Sequence, residues 1–288
     1  MFRDQLAKDA ARIQDHFDLI LAEFDGLPVT QAMGYATRGG KRLRGFLVLE
    51  SARLFDVDPQ KAIWPATAIE ALHAYSLVHD DLPCMDDDDL RRGRPTVHVK
   101  WDDATAVLAG DALQTLAFDL VARPDVGTPE TRISLVQSLS EASGAKGMVL
   151  GQALDMAAEV APAPLNLDEI TRLQAGKTGA LIEWSASAGA VMAGADPDPL
   201  RQYARALGLA FQIADDILDV EGDAEKAGKR LHKDDAAGKA TFVSLLGLDQ
   251  AKSRAAELID QANAALDVFG PTAETLKQAA RFVIARDS

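Results

Sequence analysis

Six of the ten residues from Asp80 to Asp89 are aspartates, at 80, 81, 86, 87, 88 and 89, and Arg91 and Arg92 follow at once. Carboxylates this dense repel one another and are costly to hold against apolar surface unless cations neutralise them. Hard divalent ions suit such oxygen donors, and Mg²⁺ is commonly shared between a few carboxylates and substrate phosphates. The paired guanidinium forks match phosphate oxygens. Taken alone, the run also fits a solvated acidic loop. A second set, Asp215, Asp216 and Asp219, shifts the balance. Asp215 and Asp219 stand four apart on one helix face. Their neighbours Leu207, Leu209, Phe211, Ile213, Ile217 and Leu218 make the segment apolar on several sides. A surface helix with ordinary aspartates fits poorly there. Two aspartate clusters on buried helices predict facing walls of one metal-filled cavity.

Three weaker signals accompany them. Gly39-Gly40-Lys41-Arg42-Leu43-Arg44 combines glycines that allow close ligand approach with three cations. Lys41 and Arg44, three apart, share a face if helical. The stretch fits a diphosphate clamp, although glycine followed by basic residues is more often an ordinary helix boundary. Gly176-Lys177-Thr178-Gly179 sits inside an otherwise helical segment, as a phosphate contact or a simple kink. His73 lies two helical turns before Asp80, although a single histidine in such a helix is more often a core residue.

The elements that must carry these groups are helical. Leu6, Ala10, Ile13, Phe17, Leu21 and Phe24 follow helical spacing, and Asp25-Gly26-Leu27-Pro28 stops that helix. Further helices are expected over 46–55, 60–81, 102–121, two between 130 and 159, 168–192, 200–220, 241–268 and 272–286. Asp80 and Asp81 then project from the end of a buried helix. The 221–239 segment is the most polar and reads as a lid, and no convincing strand pattern is present. The expected fold is all-α and single-domain over residues 1–288, because the Ala161-Pro162-Ala163-Pro164 linker is too short to separate domains.

The totals narrow the function. The chain has 288 residues, 48% hydrophobic, enough for a sizeable core. Its net charge of −14 argues against nucleic acid as a partner. The single cysteine, Cys84, suits a reducing, cytoplasmic setting. No signal peptide is read at the charged, amphipathic N-terminus. No uninterrupted apolar run of membrane-spanning length is read either, so no stable membrane insertion is expected.

In this order the motifs resemble those of the trans-isoprenyl diphosphate synthases, and among them the bacterial farnesyl diphosphate synthases. The likeness covers nearly the whole chain: Gly39 to Arg44, Asp80-Asp81-x4-Asp86 with Arg91-Arg92, Lys177-Thr178-Gly179, then Gln212 with Asp215-Asp216-x2-Asp219. The resemblance implies a bundle of long helices around a deep cavity, usually a homodimer. It implies three Mg²⁺ ions, with Asp80, Asp81 and Asp86 as ligands for two and Asp215 for a third, Asp216 and Asp219 completing that motif. It gives Lys41, Arg44, His73 and Arg92 to the isopentenyl diphosphate site. It gives Arg91, Lys177, Thr178, Gln212, Lys229 and Lys239 to the allylic diphosphate, dimethylallyl or geranyl. It makes Tyr75, five residues before Asp80, the floor that limits product length, with Ser76 beside it. The extra Pro83 and Cys84 within the first motif resemble the C15-producing type. Two positions depart from the pattern: Gly45 stands where proline is usual, and Phe242-Val243 where Tyr-Pro is common. The same chemistry with a C10 or C20 product differs only in pocket depth. A terpene cyclase would leave Lys41, Arg44 and Arg92 unexplained, and a metal phosphohydrolase using His73 and His79 would leave the second aspartate motif unexplained. A non-catalytic subunit of a heteromeric synthase should have lost aspartates that are here complete.

Overall fold

Helical periodicity carries through almost everywhere in the computed structural model, which describes residues 2–221 and 240–285. The helices are α1 (Phe2–Leu21), α2 (Pro28–Ala36), α3 (Leu43–Leu54), α4 (Pro59–Asp80), α5 (Val97–Lys100), α6 (Asp103–Ala122) and α7 (Pro129–Ser143), then α8 (Met148–Glu159), α9 (Leu167–Gln174), α10 (Ala180–Ala193), α11 (Asp198–Glu221), α12 (Phe242–Leu246), α13 (Leu248–Ala265) and α14 (Glu274–Ile284). This is the all-α class that the spacing predicts. The chain folds as two compact units, residues 1–137 with 188–195, and 138–187 with 196–288.

In the first unit α4 is the central element. Asp58 caps it by accepting from the Gln60 N–H at 2.8 Å, and Pro59 opens it. A proline there gives up only an N–H that the helix leaves unbonded, and such a cap is worth about 1 kcal/mol. The helix packs along α6 and α3. Ile69, Ala71 and Leu72 are fully buried, so burial runs around α4 rather than along one stripe. Such a helix holds its C-terminal end, Asp80, as a fixed point. α6 is capped in the same way, by Asp102 accepting from the Thr105 N–H at 2.7 Å. By length and mean composition alone α6 would pass for a membrane span, although Asp111 and Asp119 interrupt its apolar run. Within this unit it packs against α4 and α2 instead, with Leu113, Ala117 and Leu120 buried.

The strand expectation needs correction. Leu90–Arg91 (β1) and Arg94–Pro95 (β2) pair antiparallel, Leu90 opposite Pro95 and Arg91 opposite Arg94. The two-residue loop is Arg92-Gly93, with φ of 55° and 71°. Two successive positive φ values match the twist of a tight hairpin. Strands two residues long leave no alternation to read, which hides them from periodicity.

In the second unit α11 packs along α13 and against α14 and α12. Tyr203, fully buried on α11, donates its hydroxyl to the Leu276 carbonyl at 2.9 Å. The predicted helix over 168–192 is α9 and α10 joined by a π-helical turn, Ala175–Gly179. The predicted helix over 241–268 is α12 and α13, divided at Gly247, whose φ is 81°.

One close approach is steric. Gly189 on α10 lies so near α3 that a Cβ there would sit 2.2 Å from the Ser51 carbonyl carbon, while its N–H donates to Ser51 Oγ at 3.1 Å. Gly189→Ala should destabilise the protein by about 1–3 kcal/mol through overpacking against backbone that cannot yield. The check is a lowered thermal midpoint with helical circular dichroism unchanged below the transition.

Candidate active site

α4 ends at Asp80, with Asp81 as its C-cap. The partial negative charge of a helix C-terminus adds to both carboxylates and favours a cation there. The following loop folds back: Asp86 N–H donates to the Asp80 carbonyl at 2.8 Å, and Met85 N–H to the Leu82 carbonyl at 2.8 Å. Asp86 is thereby returned to the helix end beside Asp80. Asp81 is almost wholly buried and is held by Arg91, whose Nε donates to Oδ1 at 2.7 Å. Burial lifts the Asp81 pKa above its ordinary value, against the pull of Arg91. A carboxylate destabilised by burial gains from added positive charge. Among the described residues no three His, Cys, Asp or Glu side chains converge into a ready-made metal cluster. All-oxygen donors at a helix end that do not close a cage fit Mg²⁺, which takes its remaining ligands from water and phosphate.

Beside this carboxylate loop lies a cavity of about 300 Å³. Gly39, Gly40, Asp81, Arg91 and Arg92 border it, and α4 contributes Ala74, Leu77 and Val78. The Arg92 guanidinium lies flat on Gly40: a Cβ at that glycine would sit 2.7 Å from Cζ and both terminal nitrogens. Gly40 therefore leaves the space in which Arg92 lies. Gly39 and Gly40 also have φ of 82° and 83°, where side chains with a Cβ are strained.

His73, two turns before Asp80 on α4, sits within electrostatic reach of Arg44, Arg92, Arg91 and Arg42. Burial first, and then these cations, hold its pKa well below 6.5. Burial also lowers the pKa of Arg44, whose Nε is buried without a hydrogen-bond partner. Lys41 and Arg44 do not share a helix face, because α3 begins only at Leu43. Arg42, in a left-handed conformation with φ 54°, separates them. Arg42 is buried and serves the frame. It donates to Gln14 Oε1 at 2.8 Å and to the Thr37 carbonyl, and lies 5.2 Å over the Phe17 ring.

Tyr75 does not border this cavity. It is buried toward α6, hydrogen-bonded to Gln114, with its ring 5.6 Å from that of His79. The Ser76 hydroxyl donates to the His73 carbonyl of its own helix at 2.9 Å. His79 Nε2 donates to the Val107 carbonyl at 3.1 Å, its ring seated on Gly110 of α6. That contact engages only Nε2 of the ring.

The second unit carries the other predicted groups. Gln212, Asp215, Asp216 and Asp219 are half-buried on α11. Asp216 Oδ2 accepts from Phe242 N–H at 2.6 Å, which docks the start of α12 against the motif. Lys177 and Thr178 lie on the π-helical turn, a distortion that recurs at functional sites. Lys177 Nζ donates to Asp155 Oδ2 at 2.6 Å. Glycines on two helices press this turn into place. A Cβ on Gly151 of α8 would sit 2.0 Å from Lys177 N, and one on Gly208 of α11 would sit 3.3 Å from Gly179 Cα. Lys229, Lys239 and all but the first residue of the 221–239 segment lie outside the described residues.

The model of the polyprenyl synthetase family matches residues 28–275 of this chain. The chain belongs to that family. It is 51% identical to the farnesyl diphosphate synthase of Escherichia coli K12 over 253 residues, 84% of this chain and 83% of that protein. It is 42% identical to the farnesyl diphosphate synthase of Haemophilus influenzae across 100% of this chain and 99% of that one. An apo crystal structure of an FPP/GFPP synthase from Zymomonas mobilis superposes with a TM-score of 0.91 at 47% identity, covering 98% of both chains.

For a polyprenyl synthetase, both departures are absorbed locally. Gly45 N–H donates to Glu70 Oε1 at 2.8 Å, a bond that proline cannot make. Phe242 is buried inside a capping box formed by Thr241 and Ser244. Reading the sequence missed Arg38 and Arg94, which also border the cavity. It missed the use of Asp155 as partner to Lys177, and Glu70. No spacing signal marks any of them; Arg94 alone adjoins the arginine pair.

The His73 shift gives a signed expectation. The unfolded imidazole takes up its proton near its ordinary 6.5, the folded one only at lower pH. Between the two, the unfolded state binds more protons, so this contribution to stability is present above about 6.5 and is lost as pH falls. Denaturant titrations from about pH 7 to 5 should show His73→Asn losing less stability than the parent. A His73 NMR titration should find the ring still neutral at its ordinary midpoint.

Proposed function

We infer that this polyprenyl synthetase is a Mg²⁺-dependent prenyltransferase. It condenses isopentenyl diphosphate with dimethylallyl diphosphate and then with geranyl diphosphate, releasing diphosphate and (2E,6E)-farnesyl diphosphate. The observation that carries this reading is the arginine-bordered cavity beside the Asp80-Asp81-Asp86 loop, taken with the named relatives. Guanidinium groups beside destabilised carboxylates suit an anion and a metal cation at once, which a metal-held diphosphate supplies together.

The residues divide the work. Arg44, His73, Arg92 and Lys41 bind the diphosphate of isopentenyl diphosphate and aim its double bond. Arg91, Lys177, Thr178 and Gln212 bind the allylic partner, and Lys229 and Lys239 are assigned the same role. Bound Mg²⁺, three ions held by Asp80, Asp81, Asp86, Asp215 and Asp219 with Asp216 in support, would supply charge stabilisation for the departing diphosphate. The allylic C1–O bond breaks, the isopentenyl double bond attacks C1, and the proton lost to restore a double bond goes to the released diphosphate. No protein nucleophile is required, and the exposed Cys84 has no role. Tyr75, which lies outside the arginine-bordered cavity and against α6, is assigned as the floor that halts elongation at fifteen carbons. The 288 residues act as one catalytic domain in the cytoplasm, as a homodimer; exposed Val107 and Leu108 on α6 and Ile133 on α7 support a covered apolar surface.

Incubation of labelled isopentenyl diphosphate with dimethylallyl diphosphate, or in parallel with geranyl diphosphate, and Mg²⁺, followed by chromatography of dephosphorylated products, should give a dominant C15 alcohol and none with chelator present. A dominant C10 or C20 alcohol would keep the reaction and discard the floor. Asp81→Ala and Asp215→Ala should each lower kcat by about a hundredfold or more. Tyr75→Ala should lengthen the product; an unchanged C15 product would remove Tyr75 from that role.

A further inference from the structure

Glu70 has no place in the chemistry above, yet it is the carboxylate around which the cationic site is arranged. It sits on α4 one turn before His73 and is 4% exposed. Its Oε1 accepts from Gly45 N–H at 2.8 Å, and its Oε2 stands 3.6 Å from an Arg42 nitrogen. These contacts bracket Arg44 on both sides, at 42 and at 45. The fit is tight. A Cβ on Gly45 would sit 3.1 Å from Glu70 Cγ, 3.0 Å from the Ala66 carbonyl and 2.5 Å from Ile13 Cδ1. The first turn of α3 therefore cannot slide on α4 without breaking the Glu70 bond. Arg44, between these two anchored positions, has a buried Nε without a partner, and its side chain starts from the backbone that the Glu70 bond holds.

We propose that Glu70 is the positioning residue of the isopentenyl diphosphate clamp. It pins the start of α3 through Gly45 N–H and Arg42, and so sets where Arg44 points. It also places one negative charge among guanidinium groups that would otherwise push apart: its field favours the charged forms of Arg44 and Arg92, each of which burial and neighbouring arginines disfavour. A buried carboxylate of this kind costs the fold desolvation, which its hydrogen bond and ion pair offset. The role depends on glycine at position 45, since a proline there would leave Glu70 Oε1 without this donor.

The proposal rests on assigning isopentenyl diphosphate to this clamp, and the test separates the two. Isopentenyl diphosphate is titrated calorimetrically into the full-length chain, Glu70→Gln and Glu70→Asp, with Mg²⁺ and, separately, with geranyl diphosphate as titrant. Wild-type condensation is assayed in parallel. Glu70→Gln keeps an acceptor for Gly45 but loses the charge; Glu70→Asp keeps the charge but withdraws by one methylene. Glu70→Gln should weaken isopentenyl diphosphate binding about tenfold while geranyl diphosphate binding stays within about twofold. Glu70→Asp should fall between wild type and Glu70→Gln. Should Glu70→Gln fail to fold, the same selective loss in Glu70→Asp carries the test. Equal weakening of both ligands together with a lowered thermal midpoint would make Glu70 a structural prop and overturn the role, as would unchanged affinity. A wild type that binds but does not condense, with selective loss in Glu70→Gln, would sink the catalytic reading and keep the positioning role.

Discussion

Like charges held close together in a poorly solvated place set the terms for this molecule. Arg42, Arg44, Arg91 and Arg92 gather around His73, and six aspartates crowd the end of α4 and the loop after it. Each group alone is repulsive, and burial strengthens the repulsion because the local dielectric is lower than in water. The protein answers only in part. Arg42 and Arg91 are committed to carboxylates, Glu70 and Asp81. Arg44 keeps a buried Nε without a partner and Arg92 lies against Gly40, so positive charge there is only partly offset and favours an anion. Affinity of this kind is stored as unrelieved electrostatics in a stiff frame, the pre-organisation that makes charge stabilisation effective in catalysis.

Stiffness comes from backbone contact as much as from side-chain packing. Gly40 under Arg92, Gly45 against α4, Gly110 under His79 and Gly151 against Lys177 are places where a single added carbon collides with a functional group or the element bearing it, and at Gly208 against Gly179 it would be crowded. At each, the missing side chain fixes a distance. The glycines matter here less for backbone freedom than for how near they let two elements come.

The helices and both aspartate motifs were legible because charge and apolar period are properties of short stretches. α4 ends at Asp80, where the apolar run from Ala74 to Val78 gives way to carboxylates. What escaped depends on contacts distant in sequence. Glu70 resembles any charged residue of a helix until Gly45, 25 positions earlier, is found bonded to it. The hairpin at Arg91 to Arg94 escaped because it is made by two positive φ angles and by no strand pattern. The Lys41–Arg44 face failed for a related reason: the left-handed Arg42 delays the helix by a step. α6 shows the converse, where composition alone cannot separate a core helix from a membrane span, and packing decides.

The π-helical turn at Ala175–Gly179 has a consequence for how this protein can vary. One extra residue in a helical rod turns everything beyond it by about 100° relative to what precedes it. α9 and α10 thus form one rod with two phases, and Lys177 stands at the phase change. Losing a single residue here would leave a regular, stable helix while rotating one of its halves away from its neighbours. Length at this point is therefore inherited together with chemistry: substitutions can drift on either side, but an insertion or deletion cannot be absorbed without moving the lysine.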